Sequence, residues 1–339
     1  MKLIFKLIGK IVGWVLGSIL SLVVLGLIVC ILIQPLLYPA FYRDAEKEFT
    51  AAGLMAGNVP QGFTYVEGKD VFLQIGYKAN GKSASCIYVT DGNGENVREV
   101  ELLNADGSAY TGHTGGIAAG EQTVWLANDG DIEAGDNCVW VLSLEELLKE
   151  ETASVTLTEK FHPETRSACV TVYDGLLWVG EFEDPEKYPT KESHHLTAPD
   201  GTENPSLICG YTIDETAAKG IASETPVKAI SVCKKLQGFA FNAEGKLALS
   251  TSYGVSASHI YIHKNVLSGE AQGSITVGDA TVPVWYLDGT TLEEDIKAAP
   301  MTEELAVKDG RLYVLNESAC HKYIFGNFMR GYNVYSIPF

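Results

Sequence analysis

Gln61-Gly62-Phe63-Thr64-Tyr65, followed by Val71-Phe72-Leu73, decides the fold because the same phrase returns four times. It recurs as Gly115-Gly116-Ile117-Ala118-Ala119 with Val124-Trp125-Leu126, and as Ala168-Cys169-Val170-Thr171-Val172 with Leu177-Trp178-Val179. It recurs again as Gln237-Gly238-Phe239-Ala240-Phe241 with Leu247-Ala248-Leu249, and as Glu303-Glu304-Leu305-Ala306-Val307 with Leu312-Tyr313-Val314. Each copy opens on a small or polar pair and then alternates, which is the period of a strand. A third strand follows as Ile87-Tyr88-Val89, Val139-Trp140-Val141, Gly210-Tyr211-Thr212, Ile260-Tyr261-Ile262 and Val334-Tyr335-Ser336. A repeat that cannot bury its own apolar face must stack on its neighbours. For all-strand units the closed solution is a β-propeller, so the fold expected is all-β with five blades.

From Pro60 onward, 280 residues over five repeats give 56 per blade, which leaves room for insertions. Outer strands are expected at 97–102, 154–158, 227–232 and 282–287, with a short helix at 144–150. Blade 5 reaches Phe339 straight after its third strand. It therefore has three strands, or the segment before Pro60 supplies a fourth and hides the edge. The two longest insertions are 182–205, with His194-His195, and 318–331, which is aromatic and basic.

Residues 11–33, twenty-three in all, carry no charge and are mostly Ile, Leu, Val and Gly. That length crosses a ~30 Å hydrocarbon core as a helix and exceeds the ~7–15 apolar residues of a cleaved signal peptide. Lys2, Lys6 and Lys10 precede the run, so the N-terminus is expected to stay cytoplasmic. The domains expected are a cytoplasmic stub (1–10), a single transmembrane anchor (11–33), a linker (34–58) and an extracytoplasmic propeller (59–339) at the cell membrane. Tyr38, Phe41 and Tyr42 would form an aromatic girdle at the far interface.

The formal charge is −18, and the three lysines of the first 33 residues leave −21 on the remainder. Such a surface repels nucleic acid. Of seven cysteines, Cys30 lies in the apolar run, and Cys86, Cys138 and Cys209 share one slot in successive repeats. Equivalent slots on a ring lie beyond the ~7 Å reach of a disulfide. Cys209 and Cys233 are the pair that geometry allows; buried free thiols with at most one bridge are expected.

In a propeller, the starts of inner strands and the ends of second strands meet at one mouth of the channel. The sequence places Gln61, His113, Arg166, Gln237 and Glu303 at strand starts. Gln74, Asn128, Glu181, Asn316 and Glu317 stand at strand ends, and His321 in the loop above. A polar mouth with apolar walls is the default binding site. Asn128, Glu181 and Asn316 or Glu317 offer oxygen ligands for calcium. The run Asp129-Gly130-Asp131-Ile132-Glu133 with Asp136 resembles the start of a calcium loop but reads better as an acidic turn. No Cys-x-x-Cys points to zinc, and no Gly-x-Ser-x-Gly points to a serine nucleophile. Glu303 and Glu304, adjacent on a strand, are expected to face opposite sides, so that one carboxylate enters the channel. His113 oriented by Glu181 or Glu317 is the acid–base arrangement available.

Val59-Pro60-Gln61-Gly62-Phe63, His113-Thr114-Gly115-Gly116-Ile117 and Leu236-Gln237-Gly238-Phe239-Ala240 resemble the blade openings of bacterial exported propellers of the YVTN and quinoprotein amine dehydrogenase β-chain-like superfamily. The resemblance spans nearly all of the exported region and implies the fold. Plant-type glutaminyl cyclases, also five-bladed, are similar in opening blades with Gln-Gly, but carry an acidic residue where this chain has Gln74. Gluconolactonase-like propellers hold calcium at the mouth, as Asn128, Glu181 and Asn316 would, though with six blades. The function expected is a membrane-anchored module binding a small-molecule or envelope ligand at the channel mouth. The alternative is a propeller enzyme, either a calcium-dependent lactonase-like hydrolase or a glutaminyl-cyclase-like transferase.

Overall fold

A computed structural model describes residues 2–130, 135–323 and 326–339. It is a five-bladed β-propeller with one long apolar helix, Lys2–Leu37, ahead of it. The inner strands are Asn58–Val66, Thr114–Ala119, Cys169–Tyr173, Leu236–Phe241 and Thr302–Lys308. Each packs beside the next, and the fifth beside the first, so the ring is closed. The second strands are Val71–Lys78, Thr123–Asn128, Leu176–Gly180, Leu247–Thr251 and Arg311–Asn316. The third strands are Cys86–Asp91, Cys138–Ser143, Ser206–Thr212, Ser258–His263 and Asn333–Pro338.

The outer strands correct two expectations. Blades 1 and 3 end on Arg98–Leu103 and Lys228–Val232, as the sequence suggests. Blade 2 ends on Glu159–Phe161, because Ser154–Thr156 crosses back and lies parallel against the outer strand of blade 1. Blade 4 ends on Leu292–Ala298. The 282–287 segment belongs to a hairpin, Gly273–Val277 with Ala280–Tyr286, laid parallel on blade 3. Alternation marks a half-buried strand but not the sheet it joins. Both additions cover edges that would otherwise be bare. Blade 5 is completed by Glu46–Thr50, inside the stretch expected as linker, antiparallel to Asn333–Pro338. Phe49 of that strand lies 5.1 Å from Phe72 of blade 1, which stacks on Phe63 at 5.0 Å.

Between blades the cores are apolar. Trp125, Trp178, Phe161 and Phe239 are fully buried, each worth on the order of 2–3 kcal/mol of transfer. All seven cysteines are free thiols, so Cys209 and Cys233 are not bridged. The helix Ile4–Leu37 is long and apolar enough to cross a membrane. Pro35 lacks the N–H that would serve the carbonyl four residues back. Arg330 replaces it, donating Nε–H to the Ile31 oxygen at 3.0 Å.

Four inner strands begin with a β-bulge, between Pro60 and Gly62, Thr114 and Gly116, Leu236 and Gly238, and Thr302 and Leu305. The repeated glycine follows from the narrowness of the ring. A Cβ at Gly116 would stand 2.7 Å from the Glu304 carboxyl, and one at Gly238 2.4 Å from the Glu304 Cα.

Candidate functional site

A cleft of about 580 Å³ opens where inner strands start and second strands end. A larger cavity, about 840 Å³, lies at the far mouth among turns such as 67–69 and 308–310. It holds no deeply buried ionisable group. The near mouth does, and is the candidate site.

The cleft receives Gln61, His113, Gln237 and Glu317 of the residues singled out from sequence. The bulge at Pro60/Gly62 re-aims Gln61, whose Nε2 donates to Pro60 O at 2.7 Å and to Glu317 Oε2 at 3.0 Å. His113 lies 4.9 Å from the Tyr77 ring and stays open to the cleft. Protein packed round it, and then the Lys322 charge, push its pKa down to about 4, so the imidazole is neutral at pH 7. Gln237 Nε2 donates to Ser252 O at 3.4 Å.

Behind Glu317 lie two more carboxyls, Glu303 and Glu304. Glu303 and Glu317 are hydrogen-bonded to each other. Burial, then the neighbouring Glu317 charge, push Glu303 well above the usual carboxylate range. Burial raises Glu317 to about 7, against the pull of Lys322 and Gln61. The two therefore share a proton at neutral pH. Glu304 is fully buried and is also pushed up by burial. Its Oε1 accepts from Phe239 N at 3.3 Å, across the axis. In the slot where blades 1, 2 and 4 carry Gly62, Gly116 and Gly238, blade 5 thus carries a plug. The expectation that only one of Glu303 and Glu304 turns inward is corrected. The bulge sets both residues opposite a single partner and breaks the alternation.

The remaining expected residues serve the scaffold. Gln74 bonds to Ala52 N and O at 2.9 and 3.0 Å. Asn128 accepts from Tyr110 OH and donates to Asp136 O, both at 2.7 Å. Asn316 accepts from Thr302 Oγ1 at 3.1 Å. Glu181, buried, takes Arg166 N at 3.1 Å, Leu207 N at 3.0 Å and His194 Nδ1 at 3.0 Å, which pins the 182–205 insertion. The oxygens of Asn128, Glu181 and Asn316 are thus engaged, none lines the cleft, and the three do not fit a calcium ion. Among the described residues, no group of three or more His, Cys, Asp or Glu is placed to hold a metal. Arg166 pairs with Asp129 at 2.8 Å instead of facing a ligand alone. Asp131, Ile132 and Glu133 of the acidic turn lie outside the described residues. His321 is exposed on its loop and does not line the cleft.

Of the aromatic walls, sequence reasoning missed Tyr77, Phe182, Tyr188 and Tyr253, and reached Tyr323 only as part of the 318–331 loop. Lysines stand over these rings. Lys322 lies 4.8 Å from Tyr77 and 5.3 Å from Tyr323, and Lys235 and Lys187 lie 4.9 and 5.5 Å from Tyr253. The one available signal was the aromatic and basic composition of 318–331. Most missed residues sit one to three positions past the strand ends that were named. Asp129 follows Asn128, Phe182 follows Glu181, and Tyr77 stands three beyond Gln74.

No family model matches the chain, and no curated protein matches it. Solved structures similar to it in fold include a PQQ-bound aldose sugar dehydrogenase from Streptomyces coelicolor, 14% identical, covering 86% of this chain and 95% of that one, TM-score 0.47. A putative glucose dehydrogenase from Thermus thermophilus is 15% identical, covering 87% and 99%, TM-score 0.44. A gluconolactonase from Xanthomonas campestris is 10% identical, covering 87% and 95%, TM-score 0.35. At these identities the likeness is one of propeller fold and says nothing of activity.

Proposed function

We infer that the chain is a membrane-anchored, extracytoplasmic propeller that binds a small polar ligand in the cleft at its near mouth. The carrying observation is the cleft itself. Gln61, His113 and the proton-sharing Glu303–Glu317 pair stand at its base, under tyrosine walls. Amides and carboxyls fix polar groups by hydrogen bonds, and the rings supply contact area at low entropy cost. The apolar helix with Lys2, Lys6 and Lys10 ahead of it supports an anchor with its N-terminus in the cytoplasm.

The test is a melting-temperature screen of the purified full chain in mild detergent. The compounds are glycerol 3-phosphate, phosphocholine, N-acetylglucosamine and glucono-δ-lactone. A ligand at 100 times its Kd adds about 2.7 kcal/mol. A shift seen in wild type and absent in Gln61→Ala supports the reading. Shifts of equal size in both place the binding elsewhere.

The Glu303–Glu317 pair favours one second reading, acid–base catalysis. Turnover of glucono-δ-lactone or an N-terminal glutaminyl peptide by wild type, lost in Glu317→Gln, would support it. Equal turnover in both clears the pair of that role.

A further inference from the structure

The segment between helix and ring has no slack. Tyr38 lies 6.0 Å from Lys297 Nζ, Phe41 packs on Tyr335 at 5.9 Å, and Asp44 O accepts from Arg311 Nη2 at 3.4 Å. Ala298 pairs with Ser258, where the third strand of blade 4 begins, so this end of the outer strand is on the cleft side. Arg311 opens the second strand of blade 5, on the far side. The chain therefore descends from cleft side to far side, and the helix before it leaves from the cleft side.

Depth follows from counting. From Lys10, the last charge before the apolar run, ~20 residues at ~1.5 Å each span the ~30 Å hydrocarbon core and end near Ile31. Ile31 is the residue whose carbonyl Arg330 caps, and Arg330 sits on the cleft-side loop between Asn316 and Asn333. That loop is level with the boundary between hydrocarbon and headgroups. Exposed apolar side chains agree. Among the described residues beyond the helix, six large ones are exposed. Met55, Tyr188, Val255 and Tyr332 are on cleft-side loops, and Val97 and Val227 are on the far side. The tyrosine-backed cations Lys187 and Lys322 line the cleft, with Lys235 over the Tyr253 ring beside them, in a chain whose net charge is −18.

We propose that the cleft-side face rests in the headgroup layer of the anchor's own bilayer, and that the cleft takes the polar head of a phospholipid from it. The lysines suit the phosphate, and Gln61 and Glu317 suit a hydroxyl or amine beyond it. This rests on the proposed reading of the helix as an anchor and of the cleft as a ligand site.

The experiment uses the full chain in nanodiscs containing phospholipid brominated near the top of its acyl chains. Native Trp14, isolated by comparison with Trp14→Phe, reports insertion of the helix. Val255→Trp reports the cleft side and Asp309→Trp the far side. Quenching of Trp14 and of Val255→Trp, but not of Asp309→Trp, is expected. An unquenched Trp14 sinks the anchor reading itself. A quenched Trp14 with Val255→Trp no more quenched than Asp309→Trp overturns the proposal alone. Native mass spectrometry of the chain released from mixed phosphatidylcholine and phosphatidylglycerol discs then reads occupancy. One retained phospholipid is expected, falling about tenfold in the Lys187→Ala/Lys322→Ala double variant for the loss of charge-assisted hydrogen bonds. No retained lipid, or equal retention in wild type and variant, overturns the filling of the cleft from the bilayer.

Discussion

Replacing Glu317 by Gln should make the protein more stable in alkali than its parent. In the folded chain burial lifts the Glu317 carboxyl from about 4.5 to about 7. Below the lower value both folded and unfolded states hold the proton, and the group has no effect. Between the two values the unfolded chain ionises while the folded chain does not, so stability falls as pH rises. Above the upper value the full cost is present. At ~1.36 kcal/mol per pH unit the loss is on the order of 3 kcal/mol. Gln keeps the shape and an acceptor for Gln61, and it removes the charge that helps to raise Glu303. Urea titrations of the full chain in detergent at pH 5 and pH 8.5 measure the difference. His113, desolvated by the protein packed round it, and His263, buried, are both pushed down to about 4 and act in the opposite sense below pH 6.5. They are present in both proteins and cancel. The variant's advantage should grow by on the order of 2–3 kcal/mol from pH 5 to 8.5. An advantage that is the same at both pH values refutes the shared-proton account.

Gly238→Ala sets a methyl 2.4 Å from the Glu304 backbone and should cost about 1–3 kcal/mol in the same titration. Glu181→Ala orphans the buried Leu207 N–H, the half-buried Arg166 N–H and His194. A loss of about 3–5 kcal/mol and early proteolytic cutting within 182–205 are expected. Phe49→Pro removes a ladder N–H from the closing strand, since Phe49 pairs with Val334. It should bare the edge of blade 5 and raise concentration-dependent oligomers in light scattering. A strictly monodisperse variant would argue against the clasp.

The repeat made the blade count legible because a core shared between neighbours imposes the same alternation five times. The strands that leave their own blade were illegible. Val155 and Val282 alternate as any half-buried strand does, and the choice of sheet is made by long-range pairing. At the site, Gln61 and Glu317 were legible as polar residues ending apolar runs. Asn128, Glu181 and Asn316 carried the same signal and proved to be buried fasteners. A one-residue bulge decides which of two successive side chains faces the cleft, and bulges leave no mark in polarity. The partnership of Glu303 with Glu317 joins a bulged strand to the residue just past the end of its neighbour and was likewise out of reach.

The clasp of the ring joins Glu46 to Ser336, 290 positions apart. Every other blade finds all four of its strands within one continuous stretch of chain. The early-made strand must therefore wait, unpaired, while all five sheets are synthesised beside it. With the preceding helix anchored as proposed, it would wait at a fixed spot beside the bilayer instead of wandering through solution. Such a tether would keep the last piece within reach of a gap that can be filled only at the end.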